Sequence, residues 1–112
     1  MAKRKNKTEV VQGSGNVFAD LGVPNAEEKQ TKVRLAVAIN HILQNQELSQ
    51  VAAARRLKIN QPKVSALSNY RLEGFSVERL MKFLIALDRD VEIVIRRKPT
   101  SRKAAAILVT AA

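Results

Sequence analysis

LSQVAAARRLKINQPKVSALSNYR, running from Leu48 to Arg71, is the stretch from which the rest of the chain is read. Ser49 stands where a hydroxyl can accept from an amide one turn further on, so it caps a first short helix. Val51, Leu57, Ile59, Val64 and Leu67 recur at helical spacing on both sides of a break near Lys58. Ala54 is placed where two helices approach closely, since a small side chain allows the contact. Pro62 falls in the first turn of a second helix, where its missing N–H costs little. The outward face of that helix carries Gln61, Lys63, Ser65, Ser68 and Asn69, all hydrogen-bonding groups and none a carboxylate. Two short helices, a tight turn and a polar outer face are the sequence pattern of a helix-turn-helix recognition unit.

Charge supports a polyanion as partner. The chain has 112 residues and a net charge of +10, with a pI near 10.6. Such a balance favours nucleic acid over an acidic small molecule. A membrane surface is the rival polyanion, but no basic amphipathic helix with bulky aromatic residues is present. The length suits one small domain with loose ends. There are no cysteines, which excludes disulfides and thiolate metal sites and fits a reducing cytosol. The basic start lacks a following apolar stretch, so a signal peptide is not expected. The apolar run from Ala104 to Val109 is far too short to span a bilayer. A cytoplasmic protein follows, nucleoid-associated when bound to DNA.

Working outward, residues 1–15 form a basic, flexible arm, suited to solubility or to extra phosphate contact, with a possible short strand at Thr8–Gln12. Gly13-Ser14-Gly15 breaks the chain. In the next segment Val17, Phe18, Leu21 and Val23 can dock on a core, and Gly22 can end a single helical turn. Asn25 with Glu28 fits a capping box for a long helix from about Ala26 to Gln46. Val33, Leu35, Ala36, Ile39, Ile42 and Leu43 form its apolar stripe, while Lys29, Lys32, Asn40, Gln44 and Asn45 are expected to face water.

Beyond Arg71, Leu72 to Phe75 reads as a loop in which Gly74 takes a positive φ. Ser76 caps a helix from Val77 to about Leu87, with Leu80, Phe83, Leu84 and Leu87 inward. Asp88 to Asp90 is a turn. Val91-Glu92-Ile93-Val94-Ile95-Arg96-Arg97 alternates as a strand, with Val91, Ile93 and Ile95 on one face and Pro99 as its stop. A single strand cannot satisfy its own edge. It must pair with a second copy across a two-fold axis, with Thr8–Gln12, or with another protein's sheet. The two-fold dimer is preferred, because it also sets two recognition helices about one DNA turn apart. Residues 16–97 are thus the folded domain, and 98–112 a flexible tail.

Other chemistry finds no foothold. His41 is the only histidine and lacks a second imidazole or a carboxylate pair at ligand spacing, so no metal site is expected. Glu27 and Glu28 suit the dipole of a first helical turn. Phe18, Phe75 and Phe83 are core plugs, too few and too scattered for a base-stacking sheet. There is no P-loop, no dinucleotide-binding turn and no nucleophile–histidine pair. Neither a cofactor nor an enzymatic activity is expected.

Gln50, Ala54, Val64 and Leu67 stand at the spacings of the lambda-repressor-like (Cro/XRE) helix-turn-helix family. The wider layout joins GSGNVFADLG (Gly13–Gly22), a long helix, LSQ, QPKVS and VEIVI (Val91–Ile95), and resembles HigA-like antitoxins and their stand-alone relatives. The resemblance covers about Gly13 to Arg97. It implies a mainly α protein, a four- to five-helix DNA-binding domain with one C-terminal β-strand used in dimerisation. It further implies a homodimeric repressor on a pseudo-palindromic double-stranded operator, with a protein toxin as a possible second partner. By position, Gln61, Pro62, Lys63, Ser65 and Ala66 would face bases, Lys63 alternatively phosphate, and Gln50, Asn69 and Arg71 would contact phosphate. Gln61 suits adenine and Lys63 guanine. Two residues depart from the family pattern: Lys58 replaces the usual turn Gly, and Pro62 can offer only an apolar contact, for instance to a thymine methyl. The strong positive charge also departs from antitoxins that neutralise basic toxins, because the acidic residues here are scattered.

Overall fold

The computed structural model describes residues 25–111. Four helices follow one another: α1 (Ala26–Asn45), α2 (Gln50–Leu57), α3 (Gln61–Ser68) and α4 (Val77–Ala86). By contacts the chain divides into a helical unit, Lys32–Val91, and a second unit that holds the start of α1 and the residues from Glu92 onward.

Each later helix starts on a side chain that the sequence supplies for it. Ser49 Oγ accepts from Ala52 N at 3.1 Å, Asn60 Oδ1 from Lys63 N at 2.9 Å, and Ser76 Oγ from Arg79 N at 3.0 Å. All three capping residues are extended, as a cap requires. α1 starts differently. Asn25 has φ 56° and offers its carbonyl to Lys29 N, in place of the extended capping-box geometry expected with Glu28.

The helix ends share one device. Glu47, Lys58, Tyr70 and Asp88 sit just past the four helices with φ of 53°, 61°, 60° and 63°. The following residue in each case donates back to the helix: Leu48 N to Leu43 O, Ile59 N to Ala54 O, Arg71 N to Ala66 O and Arg89 N to Leu84 O. This is the Schellman closure, which satisfies orphan carbonyls by a left-handed residue. Glycine holds that position most cheaply, yet none of the four is glycine. Gly74, expected to supply the positive φ of its loop, does not adopt one. The left-handed turn falls at Tyr70 instead, where the helix actually stops.

The core of the helical unit is contributed by every helix. Leu35, Ala36, Ile39, Ile42 and Leu43 of α1 are buried with Ala53, Leu57, Val64, Leu67, Leu72, Phe75, Leu80, Phe83, Leu84 and Leu87. Each fully buried aliphatic side chain contributes about 1.5–3 kcal/mol relative to exposure. Two expectations in α2 change. Ala53, at 2% exposure, is the small residue in the core, and Ala54 is only half-buried. Val51 is 48% exposed and anchors nothing. Both follow from the phase of α2, which turns 53 and 57 inward together. Asn40 was expected in water but is 6% exposed, and its Nδ2 donates to Leu67 O at 3.1 Å.

In the second unit no strand forms among the described residues. Val91 to Pro99 has no regular structure, and Ile93, Val94 and Ile95 are 73%, 63% and 93% exposed. Alternation gave Val91–Arg97 the pattern of a strand, but a ladder needs a neighbour, and within the described part of one chain there is none. Lys98 Nζ donates to Arg102 O at 2.6 Å, and Ile107 N donates to Glu27 Oε2 at 2.9 Å. Thr8–Gln12 and the segment with Val17, Phe18, Leu21 and Val23 lie outside the described residues.

Candidate nucleic-acid interface

α2 and α3 are separated by Lys58, Ile59 and Asn60. The left-handed Lys58 reverses the chain and Asn60 opens the next helix, so the turn closes with a side chain where glycine is usual. Ala53 and Leu57 of α2 and Val64 and Leu67 of α3 are buried, which fixes the rotation of α3 about its axis. Its opposite face is then set. Gln61 and Pro62 are exposed, Lys63, Ser65 and Ala66 are half-buried, and Ser68 is exposed. Gln61 and Ser65 are one turn apart, as are Pro62 and Ala66, so the four form one compact patch. With eight residues, α3 is about 12 Å long, comparable to the major-groove width.

The flanking groups divide by role. Gln50, the first residue of α2, lines a groove of about 190 Å³ together with Asn40, Ser49, Ser68 and Tyr70. The start of α2 and the end of α3 therefore lie beside each other. Tyr70 was not among the expected site residues, because its position matters only once α3 ends there. Arg71 is exposed. Asn69 caps α3: its backbone N–H donates to Ser65 O and Ala66 O, and its Nδ2 to Ser65 O at 2.8 Å. Nδ2 also stands 3.5 Å from Ser65 Oγ. Lys63 Nζ lies over the Phe75 ring, 5.3 Å from its centroid.

From Leu48 to Leu72 the sequence holds five lysine or arginine residues and no carboxylate. Arg56 is one of them, but it serves the fold. Its Nη2 donates to Ala86 O at 3.3 Å, at the C-terminal end of α4, and stands 4.0 Å from Asp88. That leaves Arg55, Lys58, Lys63 and Arg71 as cations of the unit. Of the sequence-expected dimerisation residues, Val91 is half-buried, while Ile93 and Ile95 are exposed. Among the described residues no group of three or more histidines, cysteines or carboxylates could hold a metal, and no helix is long and apolar enough to cross a membrane.

The short turn, the inward apolar quartet and the outward patch define a helix-turn-helix protein. Residues 17–96 match the model of the helix-turn-helix domain family. A solved structure described as an XRE-family transcriptional regulator is 70% identical, with a TM-score of 0.76, and the match covers 80% of this chain and 100% of that one. The chain belongs to the XRE (Cro-like) family of helix-turn-helix proteins. A comparison with curated proteins finds no match.

Proposed function

We propose that this protein is a sequence-specific, dimeric DNA-binding repressor that reads a pseudo-palindromic operator with α3. The observation that carries this reading is the outward patch of Gln61, Pro62, Ser65 and Ala66 on a helix rotated by its buried Val64 and Leu67. Gln61 reads adenine, Lys63 reads guanine or phosphate, and Pro62 and Ala66 offer apolar contact to thymine methyls. Gln50, Asn69 and Arg71 hold the DNA backbone. The domain comprises residues 16–97, with a basic arm before it and a tail after it. Its place of action is the cytoplasm.

The test is an operator selected from a random pool, followed by Gln61→Ala and Lys63→Ala. Gln61→Ala is expected to cost roughly 1–3 kcal/mol and to relax discrimination at one position. Lys63→Ala is expected to do the same on a guanine contact, or to weaken operator and random DNA alike on a phosphate contact. Unchanged binding by both variants would show that another face reads the DNA.

Dimerisation falls to the segment of Val91, Ile93 and Ile95, which forms its strand on pairing; the exposed side chains of Ile93 and Ile95 call for a partner. A second copy supplies a complementary edge and brings two copies of α3 to a spacing of about 34 Å. The same exposed edge favours one second reading, an antitoxin that pairs this strand with a toxin and represses its own operon. Co-purification with the product of the adjacent gene distinguishes the two. A neighbour that is neither toxic nor bound removes the toxin.

A further inference from the structure

The leading edge of α3 carries a cluster that no sequence motif announces. Phe75 is buried between the recognition unit and α4, and its ring meets Phe83 edge-on, with centroids 5.8 Å apart and planes at 78°. Two cations use that ring. Lys63 Nζ lies 5.3 Å from the Phe75 centroid, and the Arg79 guanidinium lies 5.8 Å from it and 5.7 Å from that of Phe83. Lys63 belongs to the first turn of α3 and Arg79 to the first turn of α4. Among the described residues no carboxylate is within ion-pair distance of either. The nearby Glu78 is turned to Lys82, at 3.5 Å.

We infer that Lys63 and Arg79 form a two-cation clamp for a DNA phosphate at the leading edge of α3, with Phe75 as the residue that positions both. The inference rests on the DNA-binding reading above and adds to it a contact from α4. Two positive groups gathered on one ring repel each other, and each is half-exposed, so the arrangement is completed by an anion from outside. The ring's negative face holds the long side chains in place beforehand, which lowers the ordering cost on binding. Arg79 offers a planar fork suited to phosphate oxygens, and Lys63 a point charge. Phosphate contact by Arg79 is indifferent to sequence, so its role is affinity and register.

The experiment measures binding of the full chain to its selected operator and to a random duplex over a salt series. Arg79→Gln keeps the length of the side chain and removes the charge. The clamp predicts that the slope of log K against log salt becomes shallower by about 0.9 on both duplexes, with affinity about fivefold lower near 0.15 M salt. Lys82→Gln, on the same helix but paired with Glu78, is expected to leave the slope unchanged. Phe75→Leu keeps an apolar core residue and both cations, so it is expected to weaken binding two- to fivefold with the slope retained. Its melting temperature is followed alongside, and Arg79→Gln carries the test if Phe75→Leu fails to fold. An unchanged slope for Arg79→Gln, or an equal loss for Lys82→Gln, overturns the clamp while leaving the regulator intact. Tighter binding by Phe75→Leu overturns the positioning role. Failure of the unaltered protein to bind either duplex overturns the DNA-binding reading together with the clamp.

Discussion

The side-chain amide of Asn40 donates to the backbone carbonyl of Leu67 across 3.1 Å, in the core and between residues 27 apart in sequence. Leu67 lies in the last turn of α3, and its carbonyl also accepts from Tyr70 N at 3.2 Å, just past the helix end. The buried amide of α1 is thus a second donor to that carbonyl, and it ties the recognition helix to the longest helix of the domain. Asn40→Ala leaves that tie unmade and, since the carbonyl keeps Tyr70 N, is expected to cost about 0.5–1.5 kcal/mol. Asn40→Asp is expected to cost more, because it removes the donor and places a carboxylate against a carbonyl. Chemical denaturation of the three proteins checks the order, and equal stability of all three would mean the bond contributes nothing.

That bond marks the limit of what sequence could foretell. The apolar stripe of α1 was legible from spacing alone, as were the caps Ser49 and Ser76, because both signals are local. Asn40 was read as a water-facing residue since its partner is a backbone carbonyl created by the end of α3, and no periodicity encodes that. Ala53 and Ala54 are chemically identical neighbours, so only the packed phase of α2 separates them. For the candidate site, Gln61 and Pro62 stood out as exposed positions of a capped helix. Arg79 did not, because it becomes a neighbour of Lys63 only through a ring supplied by the intervening loop. The alternation of Val91, Ile93 and Ile95 was plain, but whether alternation becomes a strand depends on a partner.

The left-handed helix ends offer a stability gain. A residue with a Cβ at positive φ carries roughly 1–2 kcal/mol of strain, of which glycine's greater chain entropy cancels about 0.5–1. Glu47→Gly and Lys58→Gly are each expected to raise stability by about 0.5–1 kcal/mol, read as a higher melting temperature. Lys58→Gly also removes a cation next to the recognition helix, so its salt slope on DNA should fall if that lysine touches phosphate. A lower melting temperature for both would show that their side chains contribute more than the strain costs.

Capping separates folding from recognition. Ser49→Ala, Asn60→Ala and Ser76→Ala each leave an N-terminal amide without its acceptor, at a cost of about 1 kcal/mol. Asn60→Ala should in addition weaken specific binding, because the frayed first-turn residues Gln61 and Pro62 are proposed base readers. Ser76→Ala, which starts α4, should leave discrimination between operator and random DNA unchanged. Melting curves paired with competition binding check both halves. Equal loss of discrimination by the two variants would mean that the start of α3 holds no special role.

Dimerisation by the exposed edge can be broken without touching the helical core. Ile93 and Ile95 lie beyond the helical unit that ends at Val91, and both are largely exposed in the single chain. Ile93→Asp places a charge in the proposed seam at little cost to the monomer, since that side chain supports no other packing. Sedimentation equilibrium should give twice the chain mass for the unaltered protein and the single mass for the variant, with helical circular dichroism preserved. Operator affinity should then fall by much more than any single contact accounts for, because the second half-site is no longer bound at high effective concentration. A half-site duplex, bound by one domain at a time, should be held nearly as well by the variant as by the unaltered protein. A variant that remains dimeric would move the interface elsewhere on the chain.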